Sequence, residues 1–131
     1  LYNMLRRDAY EGELEKFCVE QQLGVITYSS LASGFLTGKY RQGAELPRTK
    51  RAEGVHQRYW NEQNFALLDR IDQIALQYNA TPAQVALAWL LTRPGITAPI
   101  ASSTSVEQTR ELLGALDLTL DQPALNMLNA E

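Results

Sequence analysis

The sequence predicts an α/β fold with a parallel sheet. Short apolar runs typical of buried strands alternate with longer runs whose apolar residues recur every three or four positions, as in helices. This alternation favours parallel strands joined by right-handed helical crossovers. Three predicted strands make an incomplete layer, because a (β/α)8 barrel has about 250 residues and a doubly wound sheet usually has about five strands or more. We therefore expect residues 1–131 to form the C-terminal part of a larger α/β fold.

The first part of the chain is predicted to contain two strands and one helix. Residues 2–5 have the composition of the end of a strand. Residues 8–22 carry apolar side chains at helical spacing, and Gly24 stands where a glycine often ends a helix. Residues 25–28, Val-Ile-Thr-Tyr, form a β-branched run typical of a buried strand. Residues 29–60 are interpreted as a loop followed by a polar stretch.

Two helices are predicted in the middle of the chain. Residues 65–78 carry apolar side chains every three or four positions. Residues 81–84, Thr-Pro-Ala-Gln, combine an N-cap threonine, a proline at the first helical position and a glutamine able to close a capping box. The helix that they open is expected to end at residues 93–95, Arg-Pro-Gly.

The last part of the chain is predicted to contain one strand and two helices. Residues 96–100 are apolar and short enough for a buried strand. Residues 105–108, Ser-Val-Glu-Gln, form a second capping-box pattern, which opens a helix through about Leu116. A final short helix is expected after Asp121.

Composition and charge exclude several classes of protein. The net charge is −3 with acidic and basic residues interspersed, so neither nucleic acid nor an anionic membrane surface is expected as a partner. No apolar run approaches the roughly 20 residues of a membrane span. Cys18, the single cysteine, fits a reducing, cytoplasmic location. His56, the single histidine, has no carboxylate or cysteine spaced for a metal site. The basic run at residues 48–51 is, by itself, most simply a solvated loop.

Two loops are candidates for a ligand site, because ligands of parallel α/β folds bind at the carboxyl ends of the strands. One follows Tyr28 and spans residues 29–34; the other spans residues 101–105, just before a predicted helix. Small residues allow a ligand to approach the backbone, and the N–H groups and dipole of a helix N-terminus favour an anion. These loops indicate a phosphorylated ligand. The alternative is that Ser103 and Ser105 only cap a helix.

Two long stretches of the chain resemble the aldo-keto reductase superfamily. They are residues 2–40, YNMLRRDAYEGELEKFCVEQQLGVITYSSLASGFLTGKY, and residues 80–116, ATPAQVALAWLLTRPGITAPIASSTSVEQTRELLGAL. Both are similar above all to bacterial general aldo/keto reductases and to the potassium-channel β-subunit branch. The resemblance implies a TIM (β/α)8 barrel that binds NADP(H) in extended form. It also implies that residues 1–131 are strands six to eight of that barrel with their helices, the N-terminal half of the domain being absent.

The resemblance implies a set of cofactor-binding residues. Tyr28 would stack on the nicotinamide, and residues 29–34 would wrap the pyrophosphate with backbone and hydroxyl groups. Lys39 and Arg51 would be the cations beside the cofactor phosphates, and residues 102–111 match the adenosine end. The implied site comprises Tyr28, Ser29, Ser30, Leu31, Ala32, Ser33, Gly34, Lys39, Arg51, Ser102, Ser103, Thr104, Gln108 and Glu111.

Three positions depart from the pattern of many relatives. Ser102 replaces a glycine, Thr104 replaces a nearby Arg or Lys, and Leu112 replaces an asparagine. Loss of the cation weakens a charge-assisted grip on a 2′-phosphate, and a leucine offers adenine no amide. NADP(H) remains the expected cofactor because Lys39 and Arg51 can compensate; relaxed preference or use of NAD(H) is the alternative.

The family's catalytic residues have no counterpart in this chain. Relatives place an Asp, Tyr, Lys and His on the first four strands, where the Tyr is the general acid toward the carbonyl. No catalytic residue is therefore assigned, and the chain alone is expected to be inactive. The resemblance implies a parent enzyme that reduces a small-molecule carbonyl substrate, an aldehyde or ketone, with NADPH. Within it, this chain would supply the cofactor site and require the N-terminal half of the barrel.

Two alternatives to the enzyme remain open. The first is a nucleotide-binding regulatory subunit similar to channel β subunits, and the second is a truncated protein without activity. An intact catalytic set upstream of Leu1 would favour the enzyme over both. The identity of the carbonyl substrate is not specified by these residues.

Overall fold

A computed structural model describes residues 1–48 and 51–130. In chain order the elements are α1 Glu13–Glu20, β1 Val25–Thr27, a 3-10 helix Ala32–Thr37, α2 Ala52–Tyr59, α3 Glu62–Gln77, α4 Pro82–Leu91, β2 Ile96–Pro99, α5 Val106–Leu113, a 3-10 helix Gly114–Asp117 and α6 Gln122–Asn129. Helices therefore separate the two strands, as the α/β prediction requires. In the part of the chain that the structure describes, no helix is both long and apolar enough to cross a membrane.

The two strands pair in parallel, which confirms the predicted sheet type. Val25 pairs with Ile96, and Thr27 pairs with Pro99, with an irregularity in register just after Val25. Between the strands the chain passes through α2, α3 and α4, a crossover far longer than the dozen residues that parallel strands need. Because the strands are parallel, their carboxyl ends lie at the same edge of the sheet. This brings residues 28–34 and residues 100–105 together.

The strand predicted at residues 2–5 is wrong. The side chain of Asn3 accepts a hydrogen bond from the backbone N–H of Leu5 at 2.9 Å, and this closes a local turn. Arg6 N–H also donates to the carbonyl of Asn3 at 3.0 Å, so the backbone turns back on itself. Tyr2 still lies beside β1, because its N–H donates to the carbonyl of Tyr28 at 3.2 Å. A single backbone bond is not a strand ladder.

The predicted α-helices are confirmed with changed bounds, and one α-helix within the described residues was missed. The helix predicted at residues 8–22 begins only at Glu13 and ends at Glu20, because its first residues form turns. Helix α2 lies in the stretch interpreted as polar. Its signal is weak but present, since Ala52, Val55 and Tyr59 are buried at helical spacing.

Both predicted capping patterns exist, but only one is a complete box. At α4, Gln84 N–H donates to Thr81 Oγ1 at 3.3 Å, and Thr81 N–H donates to Gln84 Oε1 at 2.9 Å. At α5, Gln108 N–H donates to Ser105 Oγ at 3.2 Å. Gln108 Oε1, however, accepts from the N–H of Thr104 rather than from Ser105. The second box is therefore displaced by one residue into the loop before α5.

The core forms around α4, which is apolar on nearly every side. Trp89 and Leu90 on α4 are fully buried and belong to the same core as Leu68 and Ile71 on α3 and Phe35 in the 3-10 helix after β1. Helix α4 is thus the central support behind the loop that follows β1. A helix that is apolar all round belongs in such a position.

Several large apolar side chains remain exposed. They lie on α1 (Leu14, Phe17), on β1 (Ile26, 64% exposed), on α5 (Val106, Leu113) and just after α5 (Leu116). Scattered exposed apolar residues are ordinary, but pairs of them on α1 and on α5, together with Ile26 on β1, are uncommon for a free surface.

Candidate functional site

A cleft of about 630 Å³ opens at the carboxyl ends of β1 and β2. Its volume lies within the range of small-molecule sites, roughly 300–1,000 Å³. Its walls come from the loop after β1, the start and end of α2, the loop after β2 and one face of α5. The lining residues are Tyr28, Ser29, Ser30, Leu31, Ser33, Gly34, Thr37, Lys39, Arg51, Arg58, Ala83, Ile100, Ala101, Ser102, Gln108, Glu111 and Leu112.

Tyr28 presents its ring at the end of β1, where 69% of the residue is exposed. Thr27 before it and Ser30 after it are joined to each other by hydrogen bonds. Thr27 Oγ1 and Ser30 Oγ lie 2.9 Å apart, and Ser30 Oγ also donates to the carbonyl of Thr27 at 3.1 Å. Both residues are almost fully buried. The Ser30 hydroxyl is therefore used to shape the loop, while the aromatic face of Tyr28 is free for a ligand.

The loop after Tyr28 has an unusual backbone. Ser29, Ala32 and Ser33 have φ values of 58°, 49° and 58°, and Gly34 follows at 94°. Non-glycine residues in this region cost on the order of 1–3 kcal/mol each and persist where the surrounding structure imposes them. The φ of Gly34 favours glycine, and the Nζ of Lys39 lies 2.9 Å from the place that a Cβ at Gly34 would take. Residues 29–34 are thus held in a conformation that brings backbone and an ammonium group together.

Among residues 1–48 and 51–130, three cations line the cleft: Lys39, Arg51 and Arg58. Arg58 is oriented by its Nε, which donates to the carbonyl of Gly54 at 2.9 Å, while its guanidinium lies 5.8 Å from the ring of Tyr59. None of the three forms an ion pair among residues 1–48 and 51–130. Glu111 is the one carboxylate in the lining among the residues that the structure describes. The cleft is therefore electropositive and suited to an anionic ligand.

The loop before α5 uses several of its polar groups internally. Ser103 Oγ lies 2.6 Å from Thr109 Oγ1, and Thr104 donates to Gln108 Oε1 through its N–H and its hydroxyl at 2.9 and 3.0 Å. Hydrogen bonds from its own N–H and from the Ser105 hydroxyl hold the pKa of the exposed Glu107 carboxyl below its usual value. This carboxylate would compete with an anionic ligand for the N-terminus of α5.

The structure brings most of the sequence-predicted site residues to one cleft. The exceptions are Ala32, which is fully buried beneath the loop, and Ser103 and Thr104, which do not line the cleft. Sequence reasoning missed Arg58, because it lies on the missed helix α2. The spacing of Val55 and Tyr59 could have found that helix and with it the arginine.

The sequence model of the aldo/keto reductase family matches residues 1–130, and the chain belongs to this family. It is 36% identical over 129 residues to an uncharacterized oxidoreductase, YrpG, of Bacillus subtilis, covering 98% of this chain and 37% of that protein. It is 34% identical to a probable voltage-gated potassium channel subunit beta of Arabidopsis thaliana, covering 89% of this chain and 37% of that protein.

A third relative is the aldo-keto reductase yakc [NADP(+)] of Schizosaccharomyces pombe, 34% identical over 80% of this chain and 32% of that protein. The chain thus spans about a third of the length of the curated relatives that it matches. Among solved structures, the thermostable aldo-keto reductase Tm1743 in complex with the inhibitor epalrestat matches with a TM-score of 0.69 at 24% identity. This match covers 98% of the chain and 36% of that structure, and it shows a shared fold.

Proposed function

We propose that this chain is the C-terminal, cofactor-binding part of an NADP(H)-dependent reductase of aldehydes and ketones. The observation that supports this most is the cleft at the strand ends. It combines an exposed aromatic ring, a small-residue loop in a strained conformation and three cations. The name of the Schizosaccharomyces pombe relative, which includes NADP(+), supports the choice of cofactor.

The residues of the cleft fit the chemistry of a dinucleotide. The ring of Tyr28 offers a flat apolar face to a nicotinamide ring, and the left-handed loop at residues 29–34 offers backbone groups to a pyrophosphate. Lys39, Arg51 and Arg58 offer charge-assisted hydrogen bonds to phosphate oxygens. When bound, the cofactor supplies the hydride.

The chain supplies positioning rather than proton transfer in this proposal. Tyr28 would hold the nicotinamide by its ring, and the loop at residues 29–34 and the cations would hold the phosphate end of the cofactor. The proton for the carbonyl oxygen has to come from an acid that this chain does not carry, because none of its residues matches the family's catalytic set. In this proposal the carbonyl substrate therefore binds against the further strands that complete the barrel.

The preference for NADP(H) over NAD(H) depends on the arginines. Thr104 does not line the cleft and carries no charge, so it offers a 2′-phosphate no ion pair. Arg58 adds a cation that the family resemblance did not imply, and with Arg51 it outweighs the nearby Glu111. Leu112 contributes only an apolar wall where adenine would lie.

The exposed apolar faces support the proposal that further strands complete the barrel. Helix α1 lies before β1 in the chain and α5 follows β2, and each exposes large apolar side chains, as β1 does at Ile26. In a closed barrel these surfaces would be covered by the preceding and following elements. The name completed barrel is used below for this chain joined to the further strands of the barrel.

A second candidate function is a nucleotide-binding regulatory subunit. The relatives named as potassium channel β subunits favour it, in Arabidopsis thaliana and in Oryza sativa alike. Both candidates require the same cofactor cleft. They differ in the acid and base groups of the remaining strands, so an intact set of Asp, Tyr, Lys and His upstream of Leu1 in the natural protein would favour the reductase, and a missing Tyr or Lys would favour the regulatory subunit.

The test is an NADPH titration of the completed barrel, made by replacing the matching segment of the Schizosaccharomyces pombe relative with this chain. Binding is followed by the fluorescence of the reduced nicotinamide. Tyr28→Ala should weaken binding roughly tenfold through loss of stacking, about 1.4 kcal/mol, whereas Tyr28→Phe keeps the ring and should bind almost as wild type. Equal binding by all three proteins would contradict the proposed role of the cleft.

A further inference from the structure

Asn3 is a buried polar residue whose two side-chain groups are both used. It is fully buried, its Oδ1 accepts from the N–H of Leu5 at 2.9 Å, and its Nδ2 donates to the carbonyl of Ser29 at 2.9 Å. The first bond is local, whereas the second joins positions 26 residues apart in sequence. A buried amide that satisfies both ends fixes the relative position of the two segments.

The carbonyl that Asn3 holds is the one that closes the strained loop. Ala32 N–H donates to the same Ser29 carbonyl at 2.9 Å, and Gly34 N–H then donates to the carbonyl of Leu31 at 2.9 Å. Ser29 itself has a φ of 58°. The amide of Asn3 therefore acts on the first turn of the loop that lines the cleft, not on a remote part of the core.

The segment that carries Asn3 is anchored firmly enough to act in this way. Tyr2 is buried, and its ring centroid lies 4.8 Å from that of Tyr10 and 5.9 Å from that of Trp89. Its N–H donates to the carbonyl of Tyr28 at 3.2 Å. Consecutive residues, Tyr2 and Asn3, thus hold the carbonyls of the consecutive residues Tyr28 and Ser29.

We infer that Asn3 is a positioning residue for the cofactor loop, acting through the Ser29 carbonyl on residues 28–34. This inference rests on the proposed function for its ligand, NADP(H), but the loop geometry is independent of it. If Asn3 only filled the core, any change there would lower stability without a particular effect on the loop. If Asn3 positions the loop, a substitution there should loosen residues 28–34 more than the rest of the chain.

The first test is hydrogen exchange at the amides of Ala32 and Gly34 in the 131-residue chain. Asn3→Asp keeps the acceptor for Leu5 but loses the donor to Ser29, and Asn3→Ala removes both groups without burying a charge. Both variants should speed exchange at these two amides by about tenfold or more, because the Ser29 carbonyl loses one of its two donors and the first turn of the loop loses its tie to the segment that carries Asn3. The control is Asp121→Ala, which removes the N-cap of α6 far along the chain.

The result that would overturn the inference is loop exchange that rises no more in the Asn3 variants than in Asp121→Ala at equal loss of global stability. A second readout is NADPH affinity in the completed barrel, where Asn3→Asp should bind about tenfold more weakly than Asp121→Ala. Equal affinities would also overturn it. If the wild-type completed barrel bound no NADPH while the exchange result held, the proposed function would fail and the positioning role would stand.

Discussion

Arg48 and Arg51 belong to the same basic run, yet only Arg51 lines the cleft. Substituting each arginine in turn therefore separates the effect of a charge in the cleft from the effect of the net charge of the loop. A 2′-phosphate distinguishes NADPH from NADH, and an arginine beside it forms charge-assisted hydrogen bonds that NADH cannot use.

Arg51→Ala is expected to weaken NADPH more than NADH in the completed barrel. Loss of a hydrogen bond to a charged group corresponds to about 1.5–3 kcal/mol, or roughly a tenfold to hundredfold loss of affinity for NADPH. Titrations with both cofactors measure this, and Arg48→Ala is the control with the same change of charge. Equal losses for NADPH and NADH would show that Arg51 does not read the 2′-phosphate.

Glu11 lies in a cluster of charged and polar side chains away from the cleft. Its carboxylate lies 2.8 Å from Arg7 Nε and 3.2 Å from Arg93, and it accepts from the Tyr2 hydroxyl at 2.7 Å. Burial alone would raise the pKa of Glu11, but the hydrogen bonds from Arg7 and Tyr2 and the charges of both arginines outweigh it and lower the pKa. Burial and the bond to Glu11 also raise the pKa of the Tyr2 hydroxyl, which therefore stays protonated and donates.

Glu11→Gln should lower the free energy of unfolding by about 1–3 kcal/mol at pH 7. Because the pKa of Glu11 is lower in the folded chain, its contribution is complete above about pH 4.3, where an unfolded glutamate ionises. It is lost as the pH falls through the folded pKa, so the variant and wild type should converge in acid. Urea unfolding at several pH values measures this, with the exposed Glu13→Gln as control. A difference that did not change with pH would contradict the assignment.

At the scale of elements, the sequence predicted what local chemistry decides. The strand at residues 25–28 and the cap at Thr81 follow from β-branched residues and from a capping motif, and both are present. The strand predicted at residues 2–5 failed because pairing depends on a distant partner, while the Asn3 turn is local. Helix α2 was missed because most of its residues are polar and only a short stripe, Ala52, Val55 and Tyr59, is buried.

The capping box at α4 gives a prediction at this scale. Thr81→Ala removes the acceptor for the N–H of Gln84 and should lower the free energy of unfolding by about 1 kcal/mol, whereas Thr81→Ser keeps it. Gln84 Nε2 also donates to the carbonyl of Glu111 on α5 at 2.8 Å, so the cap supports one wall of the cleft. Urea unfolding of both variants checks this; equal stability of the Ala and Ser variants would refute it.

The candidate site could be predicted from sequence only in part. The loop at residues 29–34 and Lys39 belong to a contiguous motif, and all of these residues except the buried Ala32 line the cleft, while their binding role stays a prediction. The spacing of Val55 and Tyr59 could have indicated helix α2 and Arg58 on it, but not that α2 packs so that Arg58 lines the cleft. The internal hydrogen bonds of Ser103 and Thr104 were equally beyond sequence reasoning, since side-chain pairing at short range has many alternatives.

At the scale of the whole molecule, the exposed apolar surfaces and the open cleft have one consequence. The 131-residue chain alone should bind NADPH only weakly, with a Kd of roughly 1 mM or above, because one side of the cleft is not covered and affinity depends on buried contact. Fluorescence titration of the monomeric chain measures this, with the completed barrel as control. Micromolar binding by the monomer would refute the need for further strands.

The most direct test of the central claim is a crystal structure of the completed barrel grown with NADP+. We expect the nicotinamide to lie against the ring of Tyr28, the pyrophosphate along residues 29–34 and the 2′-phosphate near Arg51. Cofactor density elsewhere on the protein, or a cleft filled only by solvent at saturating NADP+, would contradict it.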